Sequence, residues 1–228
     1  MQIEIETLED DSHLLTISNL SEKERQAFEA DPELLVVGLE FDGKVGRRVF
    51  PAGTPYLEVT LANLRRLHPQ VLPQAAPGAV PDWERAIDLV LERLAGSGVE
   101  WMFIGGAALV VQGVQINPGD VDVITNVAGA KAMNDIFSDC LITPAAPLAD
   151  WGHFGRAFHG AKIEWAGNDP SENPQMWNLG APQRVISWHA RDIRVALLET
   201  YLRIERNRGR TDRVAAIEAV LATANERS

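Results

Sequence analysis

Residues 104–125 read IGGAALVVQGVQINPGDVDVIT, and the fold turns on this stretch. Gly105-Gly106 predicts a turn into a short apolar helix, AALVVQG. A strand is then expected over 121–125, VDVIT. Upstream, residues 99–104 (VEWMFI) read as a buried strand. Successive side chains in a strand point to opposite faces. Asp120 and Asp122 therefore share one face, while Val121 and Val123 face the core. Two carboxylates held side by side repel each other. A hard divalent cation relieves that repulsion, and oxygen ligands suit Mg²⁺. Gly105 and Gly106 let backbone N–H groups come close to phosphate, and the start of the next helix adds its positive end. Asp-x-Asp alone is weak, because chance supplies about half an occurrence in a chain this long. Two solvated acids on a surface turn are the plain alternative. The order strand, Gly-Gly, helix, strand is what distinguishes this copy.

Working outward, Trp83, Ala86, Ile87, Val90, Leu91 and Leu94 recur every three to four residues, which predicts an amphipathic helix over 83–94. Gly96 and Gly98 end it. A helix is expected over 129–137. Strands are expected near 154–159 and 161–166, joined at Gly160. Helices are expected over 192–207 and 212–225, with Gly209 between them and Thr211 as cap. In AKIEWAG (161–167), Lys162 and Glu164 fall on one face, and Ile163 and Trp165 on the other.

The N-terminal part predicts a small α+β unit. Strands are expected at 2–6, 14–18, 33–41 and 45–50. Asp42-Gly43 is a turn signal, and Ser21 with Glu24 forms a capping box for a helix to about Glu29. Residues 56–67 fit either strand or helix. The stretch HPQVLPQAAPGAVPD (68–82) is rich in proline and predicts a break. The expected division is a small α+β domain at 1–68, a linker at 69–82 and a larger domain at 83–228.

At 228 residues, 46% hydrophobic and 23% charged, the chain has the composition of a globular protein. The apolar run 101–114 is too short and too interrupted to span a membrane. The N-terminus lacks the basic start and long apolar stretch of a signal peptide, so a cytoplasmic setting is expected. One cysteine, Cys140, excludes an internal disulfide and a multi-thiolate zinc site. Its expected place is the core. The net charge of −11 repels a polyanion, which disfavours nucleic acid as a partner. It does not exclude a single nucleotide, because a bound cation inverts the local field.

The helix at 83–94, the strand, the Gly-Gly turn and Asp-x-Asp together resemble the DNA polymerase beta-like nucleotidyltransferase superfamily. The closest likeness is to its small bacterial branches, the lincosamide- and aminoglycoside-type enzymes and those of toxin–antitoxin systems. The resemblance covers roughly residues 80–220. It implies an α+β fold with a short mixed sheet and C-terminal helices. It implies that Asp120 and Asp122 hold two Mg²⁺ ions, that Glu164 is the third catalytic and metal-binding carboxylate, and that Gly105 and Gly106 face the triphosphate. ATP or another nucleoside triphosphate would be the donor, and a small molecule or a protein the acceptor. The segment RGRTDR (208–213) is similar to the basic stretch that joins the last helices in several members. Ala107 departs from the usual hydroxyl residue, Asn117-Pro118-Gly119 from the usual basic or hydroxyl residue, and Glu164 from the usual Asp.

The five histidines show no zinc-ligand spacing. Trp151, Trp165, Trp177 and Trp188 offer stacking faces, with core packing as the plain alternative. Arg203, Arg206, Arg208, Arg210 and Arg213 form a basic cluster that is either a solvated helix surface or a contact for phosphate. Two functional readings stand. One is transfer of a nucleoside monophosphate to a hydroxyl. The other is a non-catalytic binding or regulatory protein of antitoxin type.

Overall fold

The computed structural model describes residues 1–76, 78–148, 151–169 and 177–225. Pro77, within the proline-rich stretch, lies outside the described residues. Two sheets organise the chain. The first has four strands in the order β1-β2-β4-β3, all antiparallel, with β1 at Gln2–Thr7, β2 at His13–Ser18, β3 at Glu40–Phe41 and β4 at Gly46–Phe50. Helix α1 (Glu22–Ala30) starts at the capping box read from Ser21 and Glu24: the Glu24 amide donates to Ser21 Oγ, and the Ser21 amide donates to Glu24 Oε2.

Residues 33–41 do not form the expected strand. Leu34, Leu35, Val36 and Val37 are buried, but in turns and bends, and only Glu40 and Phe41 pair. The apolar run marked burial, and burial alone does not choose extended pairing. Its amides go elsewhere: Leu34 N donates to Asp31 O, and Val37 N donates to Thr143 Oγ1 at 3.4 Å.

The stretch that fitted strand or helix is helix α2, Leu57–Val71. It runs through Pro69 into a 3-10 turn at Leu72–Ala75, so the break expected from residue 68 begins later. Pro69 has no amide to give the Arg65 carbonyl four residues before it, and His68 Nδ1 lies 2.9 Å from that carbonyl instead. Leu57, Leu61, Leu64, Leu67 and Val71 form its buried face. Asn63 Nδ2 on that face donates to the carbonyls of Ser138 and Leu141 at 2.7 and 3.0 Å. The helix thus belongs to both parts of the molecule.

The second sheet has seven strands in the order β10-β11-β5-β6-β9-β8-β7. Helix α3 (Trp83–Leu94) buries Ala86, Ile87, Val90, Leu91 and Leu94 of the stripe expected from the sequence, and Trp83 at its start is half-buried. Strand β5 (Trp101–Ile104) leads through α4 (Gly105–Val110) to β6 (Asp120–Thr125). Helix α5 (Val127–Ile136) is capped by Asn126, whose Oδ1 accepts from Gly129 N at 2.7 Å. Strands β7 (Leu141–Leu148), β8 (Gly152–His159) and β9 (Ala161–Gly167) complete one side; β7 was not expected. Gly160 makes the β8–β9 turn with φ +76°.

The C-terminal region corrects another expectation. Residues 191–196 are strand β11, antiparallel to β10 (Gln183–Trp188), and the helix expected from 192 begins only at Leu198. In β11, Ile193 and Val195 are buried on either side of exposed Arg194, a period of two that belongs to a strand. Val195 pairs with Phe103 in parallel, which draws the segment into the sheet. Helices α6 (Leu198–Asn207) and α7 (Thr211–Asn225) close the chain, with Gly209 at φ +68° between them. The fold is α+β, a mixed sheet with C-terminal helices. Among the described residues no helix is long and apolar enough to cross a membrane. Cys140 is buried, and burial pushes its thiol up to about 12.

Candidate active site

Strand β6 pairs with β5 in antiparallel and with β9 in parallel register. Asp122 stands opposite Ile104 on one side and opposite Glu164 on the other. Glu164 in turn stands opposite Arg156 of β8. One lateral row therefore crosses four strands: Ile104, Asp122, Glu164, Arg156. Asp120 lies two residues back on the same face, opposite Lys162. Behind the row, Val121, Val123, Ile163 and Trp165 are buried, which prevents β6 and β9 from presenting their other face.

Carboxylate oxygens of Asp120, Asp122 and Glu164 all lie within 4.8 Å of one another. Burial raises the Asp122 carboxyl well above the usual range, and its neighbours Asp120 and Glu164 add to this. Burial and then Glu164 raise Asp120. Lys162 and Arg213 offset part of the repulsion at both. Three hard oxygen donors, crowded and only partly neutralised, fit a divalent cation such as Mg²⁺. Glu164 also makes an ion pair: its Oε1 lies 2.6 Å from Arg156 Nη2.

Gly105 begins the turn at φ +68°, and a Cβ there would fall on Asp122 Oδ2, with Cγ only 2.8 Å away. The glycine is thus what lets the Asp122 carboxylate lie against the backbone. Gly105, Gly106, Asp120 and Asp122 share the wall of a cavity of about 660 Å³.

The far wall of this cavity comes from the C-terminal helices. Arg208, Arg210 and Arg213 line it, while Arg206 is drawn off to Glu218 at 2.6 Å. Of the four tryptophans considered, Trp151 and Trp177 reach the cavity. Trp165 stacks on Phe137 in the core, and Trp188 packs on Trp83. Tyr201 and Glu205, which belong to no motif in the sequence, also line the cavity. Both are buried on α6, Tyr201 against Trp177 with ring centres 5.1 Å apart, and burial followed by the Asp122 charge pushes its phenol well up. Glu205 is 2% exposed and lies 3.7 and 3.5 Å from Arg208 and Arg210. The spacing of Tyr201, Ile204, Glu205 and Arg208 was the available signal, a helical stripe that mixes apolar and charged residues.

No protein-family model matches the chain, and no curated relative matches it in sequence. Solved structures with a similar arrangement exist. A candidate nucleotidyltransferase from Thermotoga maritima is 22% identical, covers 62% of this chain and 94% of its own, and superposes with a TM-score of 0.48. The lincosamide antibiotic adenylyltransferase LnuA, solved with lincomycin bound, is 12% identical, covers 62% and 99%, and has a TM-score of 0.47. An antigenic nucleotidyltransferase-like protein from Paracoccidioides brasiliensis is 14% identical, covers 60% and 76%, and has a TM-score of 0.44.

Proposed function

We propose that this chain transfers a nucleoside monophosphate from a nucleoside triphosphate, ATP among the candidates, to a hydroxyl of a small-molecule or protein acceptor. The observation that carries the reading is the meeting of Asp120, Asp122 and Glu164 within 4.8 Å, with Asp120 and Asp122 on the wall of a cavity that also holds Gly105-Gly106 and three arginines. Asp120, Asp122 and Glu164 would hold two Mg²⁺. When bound, the ions supply positive charge that stabilises the attacking and leaving oxygens of an in-line displacement.

The chain's own residues have the remaining tasks. Gly105 and Gly106 admit the triphosphate close to the backbone. Arg208, Arg210 and Arg213 give the phosphates a cationic wall in an otherwise acidic protein. Trp177 and Trp151 offer stacking faces for the base. Glu164 accepts the proton of the attacking hydroxyl. A cytoplasmic setting, where nucleoside triphosphates are at hand, fits this work.

A specific observation favours a second reading. The Arg156–Glu164 pair, together with Ala107 where a hydroxyl would contact phosphate, suits a non-catalytic domain that binds nucleotide or a partner protein. Incubation with each α-labelled nucleoside triphosphate and Mg²⁺, with and without cell extract, separates the two. Labelled product with pyrophosphate release supports transfer. Binding without pyrophosphate under every condition supports the second reading.

A further inference from the structure

A second cavity of about 360 Å³ lies along the same lateral row. It shares Ile104, Asp122 and Trp151 with the larger one, and lacks its arginines. Glu164 and Arg156 of the row line this cavity alone. Its outer wall is not built by the second sheet only. Glu33 and Val37 of the N-terminal unit contribute, which gives that unit a place beside the chemistry.

This wall is held in position. Val37 N donates to Thr143 Oγ1 on β7, Arg156 Nη1 donates to the Glu33 carbonyl, and Gly38 N donates to Glu33 Oε1 at 2.6 Å. Arg156 is 5% exposed and thus joins the catalytic row to the N-terminal unit, one nitrogen on Glu164 and another on Glu33.

We propose that this cavity is the acceptor subsite, and that it takes a compact, ring-bearing, non-anionic alcohol selected by the Glu33–Val37 wall. The proposal rests on the nucleotidyl-transfer reading of the adjoining carboxylates. Three observations carry it. Asp122 is common to both cavities, so a hydroxyl in the smaller one and a phosphate in the larger one meet at the same carboxylate. The volume is near the lower end of ligand cavities, roughly 300–1,000 Å³, which suits one small molecule and not a polymer. The lining is aromatic and acidic: Trp151 and Phe154, ring centres 6.1 Å apart, face a set of three carboxylates and one guanidinium. Aromatic faces favour a ring, and the Glu33 carboxylate, which is not one of the three metal-binding acids, repels an anion. In the step served by this subsite, the acceptor O–H gives its proton to Glu164, its oxygen bonds to the α-phosphorus, and pyrophosphate departs with the electron pair of the broken P–O bond.

The test uses the full chain and two probes that differ by one carboxylate, phenyl β-glucoside and phenyl β-glucuronide, with Mg²⁺–ATP affinity measured in parallel by calorimetry. The glucoside is expected to bind at least tenfold tighter than the glucuronide. Leu148→Trp fills the cavity from a half-buried position, so the fold tolerates it, and is expected to weaken glucoside binding tenfold or more. Glu33→Gln keeps the bond from Gly38 N and is expected to shrink the preference to less than threefold. Equal binding of both probes, no glucoside binding, or no change in either variant overturns the subsite. Absence of Mg²⁺–ATP binding in the wild-type chain overturns the nucleotidyl-transfer reading instead, whatever the glucoside does.

Discussion

Asp122 and Glu164 are direct partners across the parallel β6–β9 ladder, although a helix, a 3-10 turn and two strands separate them in the chain. Glu164 also holds Arg156 at 2.6 Å. Replacing it therefore tests two roles at once. Glu164→Gln is expected to lower turnover on the order of a hundredfold while leaving triphosphate binding largely intact, because Asp120 and Asp122 remain. Stability should fall by about 1–3 kcal/mol, since the buried Arg156 loses its charged partner and keeps neutral ones, the Glu33 carbonyl among them. Pyrophosphate release and a denaturant melt measure the two. A rate within a few fold of wild type would remove Glu164 from catalysis and leave it a structural partner of Arg156.

Asp122→Asn removes one charge from the crowded cluster and keeps its shape. Metal-dependent triphosphate binding should be lost. In metal-free buffer at neutral pH the variant should melt about 2–4 °C higher, the shift that ~1 kcal/mol makes in a chain of this size. The sign follows from the raised carboxyl. A folded-state acid raised above its unfolded value costs nothing when protonated in both states, and costs stability once pH climbs past the unfolded value. The gain should thus be absent below about pH 4 and grow as pH rises from there. Calorimetry in chelator across that range is the check, and a gain that is the same at every pH would contradict the cause given.

Gly105→Ala should be far worse than an ordinary surface change. The residue has φ +68°, which costs an L side chain about 1–2 kcal/mol. The added methyl also falls on Asp122 Oδ2. Lower stability together with weaker metal binding is the expected pair of outcomes. Gly113→Ala is the control: it has φ +94° but nothing within 4 Å of its Cβ, so it should lose stability without losing metal affinity.

Cys140 should not react with a thiol reagent at pH 8 in the native chain. Its thiol, pushed up to about 12 by burial, stays protonated there, and the thiolate is the reactive form. Full labelling should appear only in denaturant. Rapid native labelling would mean that the region around β7 opens easily.

The proline-rich stretch supports a proposed division of the chain into 1–68 and 83–228. The two parts nevertheless share α2. A chain starting at Gly78 loses Asn63, and with it the donor for the Ser138 and Leu141 carbonyls, and it loses the apolar cover of α2. Its melting midpoint should drop on the order of 10 °C, several kcal/mol in a chain of this size. A midpoint equal to that of the full chain would show that α2 contributes nothing to the larger part.

Some of this molecule was settled by local chemistry and is legible in the residues. The stripe of α3, the capping box at Ser21 and Glu24, the Gly105 turn and the shared face of Asp120 and Asp122 all follow from periods and steric rules that act within a few residues. Where a segment's state depends on what lies beside it, the residues were silent or misleading. Leu34–Val37 are as apolar as a strand but are buried in bends, with the Leu34 amide bonded to Asp31 and the Val37 amide to Thr143. Residues 191–196 became a strand because β5 offered an edge at Phe103. The register that sets Glu164 against Asp122, the Arg156 bridge to Glu33, and the arrival of Tyr201 and Glu205 at the cavity depend on strand order and helix docking. A period of two tells which face a residue takes; it does not tell which strand lies next to it, because pairing is chosen by the burial of whole faces across the sheet.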